Sequence, residues 1–146
     1  QNQNAFRRFQ PNSYAPHAPT WAVNNRSVSL RIPPSGAKDR RVEHRVAGAD
    51  ANPYLVMATV LAAAHYGITR KIDPGPPITG NAYSKVDPVL TSSWIVALDL
   101  MAESEFFREY FGQRYVDVYL ALKWAERDKF FAEITALEYE WYLNKV

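Results

Sequence analysis

Hydrophobic and polar positions alternate with a period of two in two early stretches, and follow a helical period through most of the later chain. Along residues 21–32, Val28, Leu30 and Ile32 share one face while Ser27, Ser29 and Arg31 share the other. This alternation predicts a strand, closed by Pro33-Pro34. After a turn around Gly36, residues 40–46 alternate again, with Arg41, Glu43 and Arg45 on one face and Val42, His44 and Val46 on the other, and predict a second strand. Residues 1–20 are polar and interrupted by Pro11, Pro16 and Pro19, which reads as a loop or extended arm.

The pattern then turns helical. Asp50 or Asn52 can cap a helix whose first position suits Pro53, and Gly67 is a plausible stop. Leu55, Ala58, Val60, Leu61, Ala62 and Ala64 give it an apolar, small-residue surface, so burial on most sides is expected. Residues 69–90 form a long connection rich in proline, with Pro74, Pro76, Pro77 and Pro88. Three helices should follow: one from Ser92 or Ser93 to about Ala102, a short one over Ser104 to Phe111, and a long one from Arg114 or Tyr115 to Leu143. The expected buried stripe of the last is Tyr115, Val118, Tyr119, Leu122, Ala125, Phe130, Ile134, Leu137 and Trp141. No internal repeat or low-complexity tract interrupts this order.

Composition bounds the possibilities. With 146 residues, 47% of them hydrophobic, the chain can bury a core, and a folded rather than wholly disordered chain is expected. The absence of cysteine excludes disulfides and thiolate metal sites. The longest nearly unbroken apolar run, Tyr54 to Ala64, is too short to cross a bilayer. The N-terminus carries no apolar signal core, so a cytoplasmic location is expected. The chain begins at Gln1 rather than methionine, as a cut or processed product would. Residues 1–46 carry eight arginines and lysines, seven of them arginine, against two acids, Asp39 and Glu43; the remainder is net acidic. Arginine offers a planar fork of donors that suits carboxylate and phosphate oxygens, so the basic first third points to an anion.

The row Arg41, Glu43, Arg45 is the densest chemistry in the chain. On a half-buried strand it costs desolvation unless each charge has a partner. It is either a salt-bridged ladder on an exposed sheet face, or a set waiting for a phosphate near the arginines and a divalent cation near the glutamate. Arg26 and Arg31, five apart, would point to opposite faces of a regular strand. A bulge or separate roles would be needed for both to reach one ligand. His17, His44 and His65 fit no zinc spacing. No Walker-type glycine loop, GxGxxG or GxSxG is present. Trp21, Trp94, Trp124 and Trp141 are scattered as core or interface anchors would be.

Several segments in order carry a family likeness. Asn4-Ala-Phe-Arg-Arg-Phe9, then Ala15-Pro-His-Ala-Pro-Thr-Trp21, Asn25-Arg-Ser-Val-Ser-Leu-Arg-Ile-Pro33, Lys38-Asp-Arg-Arg-Val-Glu-His-Arg45 and Ala51-Asn-Pro-Tyr-Leu55 resemble the glutamine synthetase catalytic domain in order and spacing over roughly residues 4–68. The closing Glu138-Tyr-Glu-Trp-Tyr-Leu143 is similar to the branch that includes γ-glutamylpolyamine ligases. The resemblance implies an α+β fold: a few antiparallel strands followed by a mostly helical C-terminal region. Residues 1–146 would be a C-terminal fragment of the catalytic domain, with loop and strands bearing site residues over 1–48 and helices over 49–146.

It also implies chemistry. Such enzymes use ATP to phosphorylate the γ-carboxylate of glutamate and then join it to an amine, with Mg2+ or Mn2+ holding the phosphates. By position, Arg8, Arg26 and Arg45 match glutamate-binding arginines. Arg26 is also placed as the catalytic group that stabilises the transferring phosphoryl. Arg26, Arg31, Lys38 and Arg41 match the ATP-phosphate side, and Glu43 matches a metal ligand. Phosphoryl transfer depends chiefly on positioning and on stabilising oxygen charge, which such groups supply.

At Tyr14, where ammonia-using members carry a glutamate, this chain departs from the pattern. A tyrosine side chain carries no negative charge at neutral pH, so an ammonium pocket is not expected there. An organic amine, a polyamine such as putrescine, is the expected acceptor, with ammonia and true glutamine synthetase as the alternative. A basic nucleic-acid-binding or non-catalytic scaffold module is the alternative of another class. The acidic helical remainder and the kept arginine and glutamate positions count against it. With one metal ligand the fragment alone is expected to be inactive. The whole protein is expected to be a homo-oligomer acting on small molecules, with no nucleic acid or membrane partner, and exposed sheet edges predict association.

Overall fold

The structure is a computed structural model that describes residues 1–10, 13–84, 90–143 and 145. Pro11 and Pro88, two prolines of the expected loops, lie outside the described residues. The chain forms two compact units, Gln1–Trp94 and Ile95–Val146.

In the first unit the opening segment is more than an arm. Phe6 and Phe9 are buried and meet edge-to-face with centroids 6.2 Å apart. Between them and the start, Asn2 caps a one-turn helix, α1 (Gln3–Phe6), by accepting from the Ala5 amide. Ala15, Pro16 and Ala18 are also buried. Two aromatic rings in a polar sequence anchor what proline content alone reads as loose chain.

The strand expected over 21–32 is two strands, β1 (Trp21–Val23) and β2 (Leu30–Ile32). Asn24 takes a left-handed φ of 50° and turns the chain between them. The two pair in parallel, with Trp21 opposite Leu30, while β2 pairs antiparallel with β3 (Glu43–His44). The α+β architecture with a small sheet ahead of helices is as expected, but among the described residues one of the two strand pairings is parallel.

The strand expected over 40–46 shrinks to β3. Pro33 and Pro34 end β2 with nitrogens that carry no hydrogen, so Arg40, Arg41 and Val42 have no ladder to join and lie exposed. Ala22, Val28 and Ala82 form a core under the sheet, with Ile78 packed on it. The Trp21 indole donates to the Gly75 carbonyl at 3.0 Å, and the Ile78 amide donates to the Trp21 carbonyl at 2.9 Å, tying the long connection to β1.

Helix α2 (Pro53–Thr69) starts as its sequence requires. The Asn52 side chain accepts from the Tyr54 and Leu55 amides, and Pro53 takes the first position. It runs through Gly67 and stops at Arg70, where Lys71 adopts a φ of 50°. None of its residues is buried, against the expectation of burial on most sides. An apolar helix is covered only where something packs on it, and among the described residues nothing covers Tyr54, Met57, Leu61 and Ile68.

In the second unit, α3 (Trp94–Glu103), which begins at the end of the first, leads to α4 (Glu105–Phe111) and α5 (Gln113–Ala132). Gly112, at a φ of 80°, makes the corner between α4 and α5. Rings continue across it: Phe107 to Phe111 at 5.9 Å, Phe111 to Tyr115 at 5.6 Å, Tyr115 to Tyr119 at 6.2 Å.

The expected long helix to Leu143 is broken. Glu133 is extended and α6 (Ala136–Tyr142) begins behind a reciprocal cap, in which Thr135 accepts from the Glu138 amide and Glu138 accepts from the Thr135 amide. The buried face of α5 is Val116 and Leu120, one position from the expected stripe, while Val118, Leu122, Phe130, Ile134, Leu137 and Trp141 are exposed. No helix among the described residues is long and apolar enough to cross a membrane.

Candidate active site

The site grows from the antiparallel register. Arg31 on β2 stands directly opposite Glu43 on β3, and its Nη1 donates to Glu43 Oε2 at 2.9 Å. Arg45 approaches the other carboxylate oxygen, with Nη1 2.6 Å from Oε1. Glu43 is therefore clamped between two guanidinium groups. Its carboxyl is held below the ordinary value by the hydrogen bond from Arg45 first, against desolvation, and by Arg31 next.

The expected row of Arg41, Glu43 and Arg45 is corrected in one member. Arg31, from the neighbouring strand, takes the place of Arg41, which lies exposed and donates to the Asp39 carbonyl at 3.2 Å.

Arg45 does more than pair. Its Nη2 donates to the backbone carbonyls of Tyr14 at 2.7 Å and of Arg26 at 2.8 Å, so one guanidinium joins β3 to both loops. Arg8 reaches the same place from the opening segment, donating to the carbonyls of Val46 at 3.2 Å and Arg45 at 3.3 Å. Gly48 makes that approach possible, because a Cβ there would sit 3.1 Å from Arg8 Nη1 and 2.8 Å from Asp50 Oδ1.

Two cavities meet at Tyr14. The first, about 330 Å³, is lined by Arg8, Ser13, Tyr14, Ala15, Glu43, His44 and Arg45. The second, about 370 Å³, is lined by Tyr14, Asn25, Arg26, Ser27, Gly80, Asn81 and Tyr83. Tyr14 holds a left-handed φ of 59° and exposes 69% of its surface. Arg26 is exposed on the turn between β1 and β2, which is how it escapes the opposite-face geometry of a continuous strand; its guanidinium makes no hydrogen bond among the described residues.

The structure thus gathers Arg8, Tyr14, Glu43 and Arg45 around one cavity and puts Arg26 beside Tyr14 in the next. Arg31 braces Glu43. Lys38 stands apart on an exposed turn, Ala37–Asp39, as does Arg41.

Residues without a sequence assignment also line these cavities. Ser13 Oγ donates to the Arg8 carbonyl at 2.8 Å. His44, partly desolvated, has its imidazole pushed below the ordinary value. Asn25 and Asn81 are turn residues, a signal the sequence does carry; Tyr83 has none.

The arginine-rich cavities suit carboxylate and phosphate oxygens. A divalent cation is another matter. Both Glu43 oxygens already accept from arginine, and among the described residues no three carboxylate or imidazole groups gather as a metal site. These residues by themselves do not fit Mg2+ or Mn2+.

Comparison with known proteins shows the family. The family model described as the glutamine synthetase catalytic domain matches residues 1–142. The chain is 41% identical over 143 residues to gamma-glutamylputrescine synthetase PuuA of Escherichia coli, covering 98% of this chain and 30% of that protein. It is 40% identical over 126 residues to glutamate–isopropylamine ligase of a Pseudomonas species, covering 84% and 27%. It is 34% identical over 146 residues to type-1 glutamine synthetase 2 of Dictyostelium discoideum, covering 97% and 28%. The chain therefore spans less than a third of the length of these curated relatives, and it belongs to the glutamine synthetase family, within the catalytic domain.

Proposed function

We propose that the protein carrying this chain joins the γ-carboxylate of glutamate to an organic amine at the expense of ATP. The observation that carries this reading is the convergence of Arg8, Tyr14, Glu43 and Arg45 on one cavity, with Arg26 on the adjoining one. Arg8 and Arg45 supply guanidinium groups for the carboxylates of glutamate. Arg26, exposed and uncommitted among the described residues, stabilises charge on the transferring phosphoryl group. Arg31, Lys38 and Arg41 belong to the side of the nucleotide phosphates.

ATP turns the γ-carboxylate into an acyl phosphate. The amine nitrogen then attacks the carbonyl carbon of this acyl phosphate, the C–N bond forms, phosphate leaves with the C–O electron pair, and the amine gives up a proton. Family resemblance assigns Glu43 to a Mg2+ or Mn2+ shell; in this chain its direct work is to hold Arg31 and Arg45 in place. Tyr14, standing where ammonia-using members carry a glutamate, is at the amine side. Putrescine or another polyamine is the preferred acceptor, in line with the name of the E. coli relative. A cytoplasmic, homo-oligomeric enzyme is part of the same reading.

The test is ATP-dependent phosphate release by the purified full-length protein with glutamate and either putrescine or ammonium. Turnover with putrescine and little with ammonium at equal concentration is expected. Equal or better turnover with ammonium overturns the acceptor assignment, and no turnover with any amine overturns the ligase reading.

A further inference from the structure

Tyr14 and Arg26 share the second cavity with a stretch of the proline-rich connection to which the sequence assigns no chemistry. Gly80, Asn81 and Tyr83 line it together with them. That stretch is fastened to both functional loops. Asn25 Nδ2 donates to the Gly80 carbonyl at 2.7 Å, beside Arg26. The Ala82 amide donates to Ser27 Oγ at 2.9 Å in a buried bond, and Ala82 itself lies in the core with Ala22 and Val28. The Tyr83 hydroxyl donates to the carbonyl of Ala15 at 3.0 Å, the residue that follows Tyr14.

The last bond matters because of the backbone it holds. Tyr14 sits at a φ of 59°, a conformation that costs a non-glycine residue energy and persists only where its surroundings over-determine it. Arg45 grips this turn at the Tyr14 carbonyl from the first cavity. The phenol of Tyr83 grips it at the next carbonyl from the second. A half-buried aromatic ring with a satisfied hydroxyl is also a firm wall for a small cavity.

We propose that Tyr83 is a positioning and specificity-determining residue of the acceptor-amine cavity. Its hydroxyl fixes the Tyr14 turn, and its ring sets the room left for the amine beside Tyr14 and Arg26. This rests on the ligase reading above. Tyr83 exchanges no proton with the reacting atoms; it decides where the amine nitrogen stands when it attacks. A cavity of about 370 Å³ lies near the small end for ligand pockets, which fits a short amine.

The experiment compares full-length wild type with Tyr83→Phe and Tyr83→Ala, reading KM for glutamate, ATP and amine separately, with putrescine and the bulkier benzylamine as probes and thermal unfolding as a check on folding. Tyr83→Phe removes only the hydroxyl. The amine KM should rise about threefold to tenfold, the effect of one lost hydrogen bond, while the glutamate and ATP KM stay within about twofold. Tyr83→Ala should shift the preference toward benzylamine. Should Tyr83→Ala fail to fold, Tyr83→Phe decides alone. Equal shifts in all three KM values, or none, in Tyr83→Phe overturn the proposal while leaving the ligase reading intact. A wild type that turns over no amine overturns both.

Discussion

Glu43 and Arg45, two positions apart, are joined at 2.6 Å between Oε1 and Nη1, and Arg31 closes the other carboxylate oxygen at 2.9 Å. Glu43 leaves 36% of its side chain exposed, whereas the two arginines expose 15% and 16%. The acid is thus the counter-charge for two largely buried cations. Replacing it by Glu43→Gln leaves both guanidinium groups short of charge and retains the shape. We expect a loss of about 1–2 kcal/mol in unfolding free energy, less than for a fully buried pair because solvent screens part of it. Urea unfolding at neutral pH measures this, and an unchanged midpoint contradicts it.

The same clamp sets an acid limit. The Glu43 carboxyl is held below its ordinary value of 4.5, so the folded protein keeps the charge where the unfolded chain takes a proton. Its contribution is full above the ordinary value and is lost as pH falls through the depressed folded value. His44 acts in the same direction at higher pH. Desolvation holds its imidazole below 6.5, so below 6.5 the unfolded chain takes a proton first and stability drops. Unfolding midpoints should fall in two stages between neutrality and acid. His44→Gln should remove the upper stage and Glu43→Gln should shrink the lower, to which Glu138, held below its ordinary value by its hydrogen bonds with Thr135, also contributes.

Gly48 carries a third expectation. A methyl group there would stand 2.8 Å from Asp50 Oδ1, 3.1 Å from Arg8 Nη1 and 3.3 Å from the Ala5 Cβ. The Asp50 side chain can swing away, but Arg8 is held on two carbonyls and must shift off them. If Arg8 serves glutamate, Gly48→Ala in the full-length enzyme should raise the glutamate KM by roughly an order of magnitude, with the ATP KM unmoved. Parallel changes in both would assign Gly48 to folding alone.

Thr135 sets the start of the last helix, α6. Its side chain accepts from the Glu138 amide and Glu138 returns the bond, while α6 buries no residue of its own. With no buried face to hold it, α6 depends on this cap. Thr135→Ala should cost about 1 kcal/mol of local stability. Faster amide exchange confined to Ala136–Tyr142 is the measurement, and uniform protection in the variant would count against it.

That cap shows how the sequence was and was not legible. Thr135-x-x-Glu138 is a readable start signal, yet the helical period runs through it and hides the break. Asn52-Pro53 was plain because a cap and a first-turn proline act locally. The break at Asn24 was not, since the left-handed conformation of Asn24 is one that only the folded loop requires. Arg8 and the pair Glu43 and Arg45, taken from separate motifs, line one cavity. The exchange of Arg41 for Arg31 could not be read, because it depends on cross-strand register and on where Pro33 ends the ladder. Tyr83 stayed hidden for the same reason: its partner, the Ala15 carbonyl, is a backbone group 68 residues away.

The apolar side of α2 gives the last expectation. Tyr54, Met57, Leu61 and Ile68 fall within one narrow stripe at helical spacing, and they expose 84%, 59%, 62% and 79% of their surfaces. By contrast the sheet offers only short strands of two or three residues at its edges, so self-association is expected to run through the helix rather than through strand addition. A stripe of this kind, with nothing over it among the described residues, draws a second apolar surface because covering one large side chain contributes about 1.5–3 kcal/mol. Residues 1–146 expressed alone should therefore sediment as a self-associating species. Met57→Glu combined with Leu61→Glu should weaken that association by at least about a hundredfold, since two charges would have to be desolvated where two apolar groups had been covered. A wild-type chain that sediments as a monomer at high concentration, or a double variant that associates as strongly as wild type, would remove α2 from the contact.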